Sequence, residues 1–387
     1  MNRAAIRART GGLKGLVFQI LLVVGLAALA IWLTGNADRN MDARGMASGY
    51  EFLDREAGFD VAQTLVPYEP TDTHARVFLV GALNTLLVAG LGIAAATVLG
   101  LVAGVLRVSR NFLGRTLATA YVEVARNTPL PVQILVWYNL ALIAPPPRDA
   151  WGMDGVGFLT NRGLYIPKLE WNALGGWALG GAVAAVIAGV IVGSLFRRMR
   201  TERGKGPAPA WGWAVILGGI ALALIATGNP TGFNAPVREG FGFRGGFAFM
   251  PALMALWAAL SFYTGGFIAE VVRGGLQAVA PGQSEAARSL GLDDGAVMRL
   301  VILPQAMRVI VPPLASQYLN LTKNSSLAVI IGYPDLVAVF AGTSLNQTGQ
   351  AIETLALVMA FYLAVSLSVS LFMNWWNSRS AVWAAAR

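Results

Sequence analysis

The chain has 387 residues, of which only 13% are charged and 56% are hydrophobic, and its mean hydropathy is +0.58. Soluble domains carry about 25% charged residues, so too few polar side chains are present to clothe a water-soluble surface over this length. Cysteine is absent and His74 is the single histidine, which excludes disulfide frameworks, thiol nucleophiles, iron–sulfur clusters and Cys/His zinc sites; the net charge of +9 would suit nucleic acid only if it were gathered on one surface.

Apolar runs long enough to cross a hydrocarbon core of roughly 30 Å recur along the chain. In order they are Leu16 to Leu33, Val77 to Leu106, Thr116 to Ala144, Gly176 to Phe196, Trp211 to Thr227, Phe247 to Leu276, Ala306 to Ile331 and Ala351 to Trp376. They predict an all-α fold, a polytopic membrane helix bundle of about eight spans. Arg3, Arg7, Arg9 and Lys14 precede the first run, with no acid among them. The following loop sets Asp38, Asp42, Glu51, Asp54, Glu56, Asp60, Glu69 and Asp72 against Arg39, Arg44, Arg55 and Arg76. Arg107, Arg110 and Arg115, and later Arg197, Arg198, Arg200, Arg203 and Lys205, lie in loops of the opposite side. The positive-inside rule then places both termini in the cytoplasm, and the basic excess serves topology, not nucleic acid. The first run lacks a small-residue cleavage site and reads as a retained anchor.

The expected organisation is an anchor and external loop over 1–76, a core over 77–144, an external loop and inserted helical hairpin over 145–246, a second core over 247–376 and a tail over 377–387. Pro145, Pro146 and Pro147 open the insertion, and Trp151 and Trp171 suit a membrane interface there. On the second span Gly92, Ala96, Gly100 and Gly104 recur every four residues, a spacing that lets helix backbones approach.

Charged groups inside apolar spans are costly and become functional candidates. Glu123 and Arg126 are three apart and share a helical face, as an ion pair or as substrate contacts; Glu270 and Arg273 repeat that spacing. Asn127-Thr128-Pro129-Leu130-Pro131 removes backbone donors, which at membrane depth is tolerated only where backbone is buried or lines a polar cavity. On the seventh span Gln317, Asn320 and Asn324 fall on one stripe, with Ser316 and Lys323 beside it. Amides and an ammonium could meet both ends of an amino-acid zwitterion, or hydrogen-bond to a partner helix.

The segment GQSEAARSLGLDDGAVMRLVILPQAMR, about 281–305, packs helix starts and stops tightly. Ser284 can cap a helix bearing Glu285, Ala286, Ala287 and Arg288; Gly291 can end it; Asp293 or Asp294 can cap a second; Pro304 ends or bends that one. Two short angled helices projecting into the cytoplasm result, shaped for a cleft on another protein, with an amphipathic linker on the membrane as the alternative.

Glu285-Ala286-Ala287, Gly291 and Leu303-Pro304 resemble the EAA loop of the integral-membrane permease subunits of ABC importers, with Val301 where the family usually has isoleucine. YVEVARNTPLPVQ, from Tyr121 to Gln133, resembles the signature of the polar-amino-acid permeases, with Asn127 in place of a usual glycine. The similarity continues through FYTGGFIAEVVRGGLQAV, LNLTKNSSLAVIIGYPDL and FAGTSLNQTGQ, and is nearest to the first permease subunit of general L-amino-acid, or glutamate, glutamine, aspartate and asparagine, transporters.

The resemblance implies a type I importer core of the MetI-like kind in a bacterial inner membrane. Its Glu285 to Gly291 helix would couple to an ATPase, with Leu303 and Pro304 closing the loop. The implied partners are a second homologous permease, two ATP-binding subunits that hold Mg-ATP, a periplasmic amino-acid-binding protein, an L-amino acid and the surrounding lipid. No cofactor or metal is expected on this chain, and no catalysis, since no GxxxxGK[ST] phosphate loop occurs. Two other readings are an ion-coupled secondary amino-acid transporter using Glu123 or Glu270, and an intramembrane enzyme, for which no Ser/His pair lies within the spans.

Overall fold

The computed structural model describes residues 13–43, 49–170, 172–203, 207–208, 210–228, 232–240 and 242–385. Arg3, Arg7, Arg9, Arg44, Trp171 and Lys205 lie outside the described residues. The chain is mostly helical, and Cα proximity divides it into two compact units, one of residues up to Asn127 together with those from Leu260, the other Thr128–Ala259.

Among the described residues, five helices are long and apolar enough to cross a membrane: His74–Val108, Gly175–Phe196, Pro251–Gln277, Asp294–Ile331 and Ala351–Trp375. Three of the eight predicted runs form shorter apolar helical stretches, Val17–Leu33, Leu130–Leu142 and Trp211–Thr227. The run from Thr116 to Ala144 is divided into two helices because Pro129, with φ −58° and ψ 136°, cannot continue a helical ladder.

In the first unit, α1 (Leu13–Ala43) is followed by α2 (His74–Val108), whose start is capped by the Thr73 hydroxyl accepting from the Arg76 amide. Next comes α3 (Phe112–Asn127). A Cβ at Gly104 would lie 2.6 Å from the Val272 Cβ, so the four-residue small repeat of α2 serves close packing. The connection between α1 and α2 is pinned by Phe52, Ala57 and Val61, which pack with Val77, Val80, Leu336 and Phe340. A buried polar knot sits beside that cluster. Asn84 donates to the carbonyls of Gln63 (2.7 Å) and Pro334 (2.8 Å), Tyr333 donates to the Asn84 carbonyl (3.0 Å), and Thr85 Oγ1 accepts from the Leu336 amide (3.0 Å).

In the second unit, α4 (Leu130–Leu142) leads into short strands that the all-helical expectation did not contain. Strands β1 (Trp151–Met153), β2 (Gly157–Thr160), β3 (Gly163–Ile166) and the later β8 (Phe247–Phe249) form one antiparallel sheet in the order β1-β2-β3-β8. β4 (Lys168–Glu170) pairs with β5 (Gly232–Asn234), and β6 (Val237–Glu239) with β7 (Gly242–Arg244). Strands of three or four residues between glycines and prolines are too short to declare a period-two pattern. Arg238 fastens this cap, its amide donating to Asp154 Oδ1 (3.1 Å) and its Nη1 to the Arg148 carbonyl (3.0 Å). Between β4 and β5 runs a hairpin of α5 (Gly175–Arg203) and α6 (Trp211–Thr227). Small residues at Gly181, Ala185, Gly189 and Gly193 face Ala223, Gly219, Ile216 and Gly212 across it. Outward-facing Trp177 and Ile225 stay exposed, as lipid-facing side chains do.

The longer helices that follow are α7 (Pro251–Gln277), α8 (Pro281–Ser289), α9 (Leu303–Asn324) and α10 (Ala351–Ala385), with shorter helical turns between them.

Candidate functional site

The connection from α7 to α9 is a compact knuckle built from local bonds. Its first helix begins one turn earlier than the sequence suggests. Pro281 takes the first helical position, where its fixed φ fits and its missing N–H costs nothing, so Ser284 lies inside the helix and does not cap it. The end is a Schellman turn: the Gly291 amide donates to the Arg288 carbonyl (2.9 Å) and the Leu292 amide to that of Ala287 (3.3 Å). Gly291 has φ +82°, a conformation that side chains with a Cβ resist. Asp293 then caps the next turn, Asp294–Val297, by accepting from the Ala296 amide (2.9 Å). The chain continues through a π segment, Met298–Ile302, into α9. Pro304 explains the widening, since its ring conflicts with the carbonyl four residues back and offers no donor to it. Arg288 Nε reaches Asp294 Oδ1 at 3.0 Å and joins the two halves.

Of the predicted coupling residues, Ala287 is buried and turned into the knuckle; Glu285, Ala286, Arg288 and Gly291 are exposed, as are Leu303 and Pro304 at the start of α9. Leu290, which the sequence places on the first knuckle helix without a coupling role, is 82% exposed at the tip. An apolar side chain between Ser289 and Gly291 in a polar loop was the available signal.

The predicted ion pairs are arranged differently from their sequence spacing. Arg126 does not pair with Glu123. Its Nη1 lies 3.7 Å from Glu270 Oε2, and its guanidinium sits over the Phe267 ring, 5.4 Å from the centroid. Glu123 instead accepts from Asn127 Nδ2 at 2.9 Å, one helical turn on. Glu270 receives Arg273 on Oε1 and Arg107 on Oε2, so three guanidiniums gather on one carboxylate. Arg107 was legible only as a topology charge, because 163 residues separate it from Glu270.

On α9, Gln317 and Asn324 are half-buried and Asn320, Lys323 and Ser316 exposed. The side chains of Gln317, Asn320, Lys323 and Asn324 hydrogen-bond to no other described residue, which leaves a polar stripe unpaired among the described residues. Asn127 ends α3, and in the second unit the Thr128 carbonyl accepts from Gln133 Nε2 at 3.0 Å. Among the described residues, no cluster of His, Cys, Asp and Glu could hold a metal ion.

The sequence matches the family described as "Binding-protein-dependent transport system inner membrane component" over residues 96–381. It is 49% identical to a putative amino-acid ABC transporter permease protein of Escherichia coli (strain K12), over 95% of this chain and 94% of that one. Identity is 45% to a general L-amino acid transport system permease protein of Rhizobium johnstonii, over 95% and 92% of the two chains. It is 40% to a glutamate/glutamine/aspartate/asparagine transport system permease protein of Rhodobacter capsulatus, over 94% and 93%.

Proposed function

Since the chain belongs to the family of inner-membrane components of binding-protein-dependent transport systems, we propose that it forms half of the path along which such an importer carries L-amino acids inward, using alternating access driven by ATP. It is a permease subunit of an amino-acid ABC importer and a multi-pass inner-membrane protein. In this reading both termini and the knuckle face the cytoplasm. The partners are a second homologous permease, two ATP-binding subunits that carry Mg-ATP and hydrolyse it, and a periplasmic amino-acid-binding protein. The permease core is 77–144 with 247–376, and 145–246 is an insertion.

One observation carries the coupling role. The knuckle is fixed by its own caps and yet presents Glu285, Ala286 and Leu290 outward, uncovered by any of the described residues. A rigid protrusion with an apolar tip suits a cleft on an ATPase, because its shape needs no ordering on docking. The stripe of Gln317, Asn320, Lys323 and Asn324 supplies donors and acceptors that a zwitterion needs on its way, as do Arg126 and Asn127 of the same unit; Thr128, in the second unit, is a separate candidate. The ion-coupled alternative requires a free carboxylate, and Glu270 is held by arginines while Glu123 is engaged by Asn127.

The test exploits a chain without cysteine. A photo-crosslinker placed on Ala286→Cys in the assembled complex should capture an ATP-hydrolysing subunit. Capture of lipid alone would overturn the docking role.

A further inference from the structure

The arginine cluster lies about 10 Å of helix rise before the end of α7, since seven residues separate Glu270 from Gln277. Arg107 belongs to the last turn of α2, Arg126 to that of α3, and Glu270 and Arg273 to α7. One carboxylate therefore ties the ends of α2 and α3 to the body of α7. The tie is partly buried, with side-chain exposures of 12% for Arg107, 28% for Glu270 and 31% for Arg273. Desolvation offsets much of the attraction within such a cluster, but removing one partner leaves the remaining charges uncompensated.

Packing around the cluster closes the same three helices. Tyr121 of α3 donates to the Phe262 carbonyl of α7 at 2.9 Å, and a Cβ at Gly266 would lie 2.7 Å from Ala125 Cβ. Gly104 and Val272 bring α2 against α7 in the same way. Toward the knuckle, Arg273 Nη1 donates to Gln277 Oε1 at 2.6 Å, which clamps the last turn of α7. Gly275 meets Ile310 and the Ala306 carbonyl of α9, so both legs of the knuckle converge immediately past the cluster.

We propose that Glu270 is a positioning residue for transport: by holding Arg107, Arg126 and Arg273 together it makes α2, α3 and α7 a single lever, so that displacement of the knuckle moves all three helices. The inference rests on the docking role of the knuckle. A carboxylate that merely contributed to folding would alter the amount of assembled complex, whereas a lever also sets how much substrate moves per ATP.

The experiment uses the complete importer in nanodiscs and proteoliposomes. Spin labels on Arg110→Cys and Ala278→Cys, both exposed, report the separation of the α2 and α7 ends. The expected result is one narrow distance distribution, unchanged between the nucleotide-free and vanadate-trapped complexes. With Glu270→Gln that distribution should broaden and become state-dependent, and substrate imported per ATP hydrolysed should fall at least about tenfold, a modest share of what breaking a buried ion pair costs. Glu270→Asp keeps the charge and should recover part of the ratio. A distance that shifts between the two states in the unmodified background would overturn the lever, as would an undiminished import ratio in Glu270→Gln. If Glu270→Gln fails to assemble, the same two measurements on Glu270→Asp decide: a broader distribution with a lower import ratio supports the lever, and no change in either overturns it. Failure of the knuckle to crosslink an ATPase would instead remove the docking role, a result that the label distances do not depend on.

Discussion

The knuckle between α7 and α9 and the polar knot around Asn84 are built on opposite principles. The knuckle holds its shape through bonds between residues close in sequence, such as Asp293 to Ala296 and Gly291 to Arg288, while its surface stays bare. The knot is made of bonds that reach across about 250 residues and is closed to solvent, with Asn84, Tyr333 and Asp335 at 0% exposure. A local, exposed device keeps its free energy for a partner; a long-range, buried one spends it on holding its own chain. Substitutions in the first should damage transport and spare stability, and those in the second should do the reverse.

Gly291→Asp is the severest way to break the contrast from the knuckle side. A β-carbon at φ +82° strains the Schellman turn and misaims the tip, so uptake in proteoliposomes should be abolished while ATP hydrolysis becomes uncoupled and the complex stays assembled. On the other side, Asn84→Ala removes two buried donors and strands the Gln63 and Pro334 carbonyls. Thermal unfolding in detergent should show a loss of about 2–3 kcal/mol, with uptake per folded complex nearly intact. Leu290→Ser should leave the unfolding midpoint in place and weaken ATPase association by about 1–2 kcal/mol, roughly 5- to 30-fold, as measured by titration of the subunits.

The gentlest probe is pH. Asp335 lies in the connection between the last two spans, and burial pushes its carboxyl up to about 7, against which the amides of Ala338 and Val337 pull down. A carboxyl raised on folding favours the folded state below its ordinary range near 4, and that advantage is lost as pH rises toward 7. Tyr333 and Tyr362 are the titratable groups beside it. Asp335→Asn retains an oxygen to accept from Ala338 and carries no charge, so it should raise the unfolding midpoint at pH 8 by about 2–4 °C and leave it unchanged near pH 4. An equal shift at both pH values would mean that the carboxylate is not destabilising.

The two regions also differed in how far they could be read in advance. Asp293, Gly291 and Pro304 declare a cap, a left-handed turn and a helix disruption through residue type alone, because each acts on backbone within a few positions of itself. Two expectations there gave way: Pro281 takes precedence over Ser284 at the start of the first helix, and the second runs on past Pro304 into α9 and is not a separate short helix. For the knot, nothing near Asn84 points to Tyr333 or Pro334, and the same holds for Arg107 and Glu270. The spacing of Glu123 and Arg126 suggested a pair that tertiary packing replaced, since Glu270 brings the stronger cluster within reach of Arg126.

From the sequence by itself followed the solvent in which this chain lives, the apolar runs that fill it, the break at Pro129 and the family resemblance of its loop. These depend on composition, hydropathy and backbone stereochemistry, all of which act over a few residues. The tertiary structure decided which arginines Glu270 holds, what the Asn84 knot closes, and that short strands cap the second unit. Those outcomes turn on which side chains from distant positions come within a few ångströms, and only the packed chain fixes that.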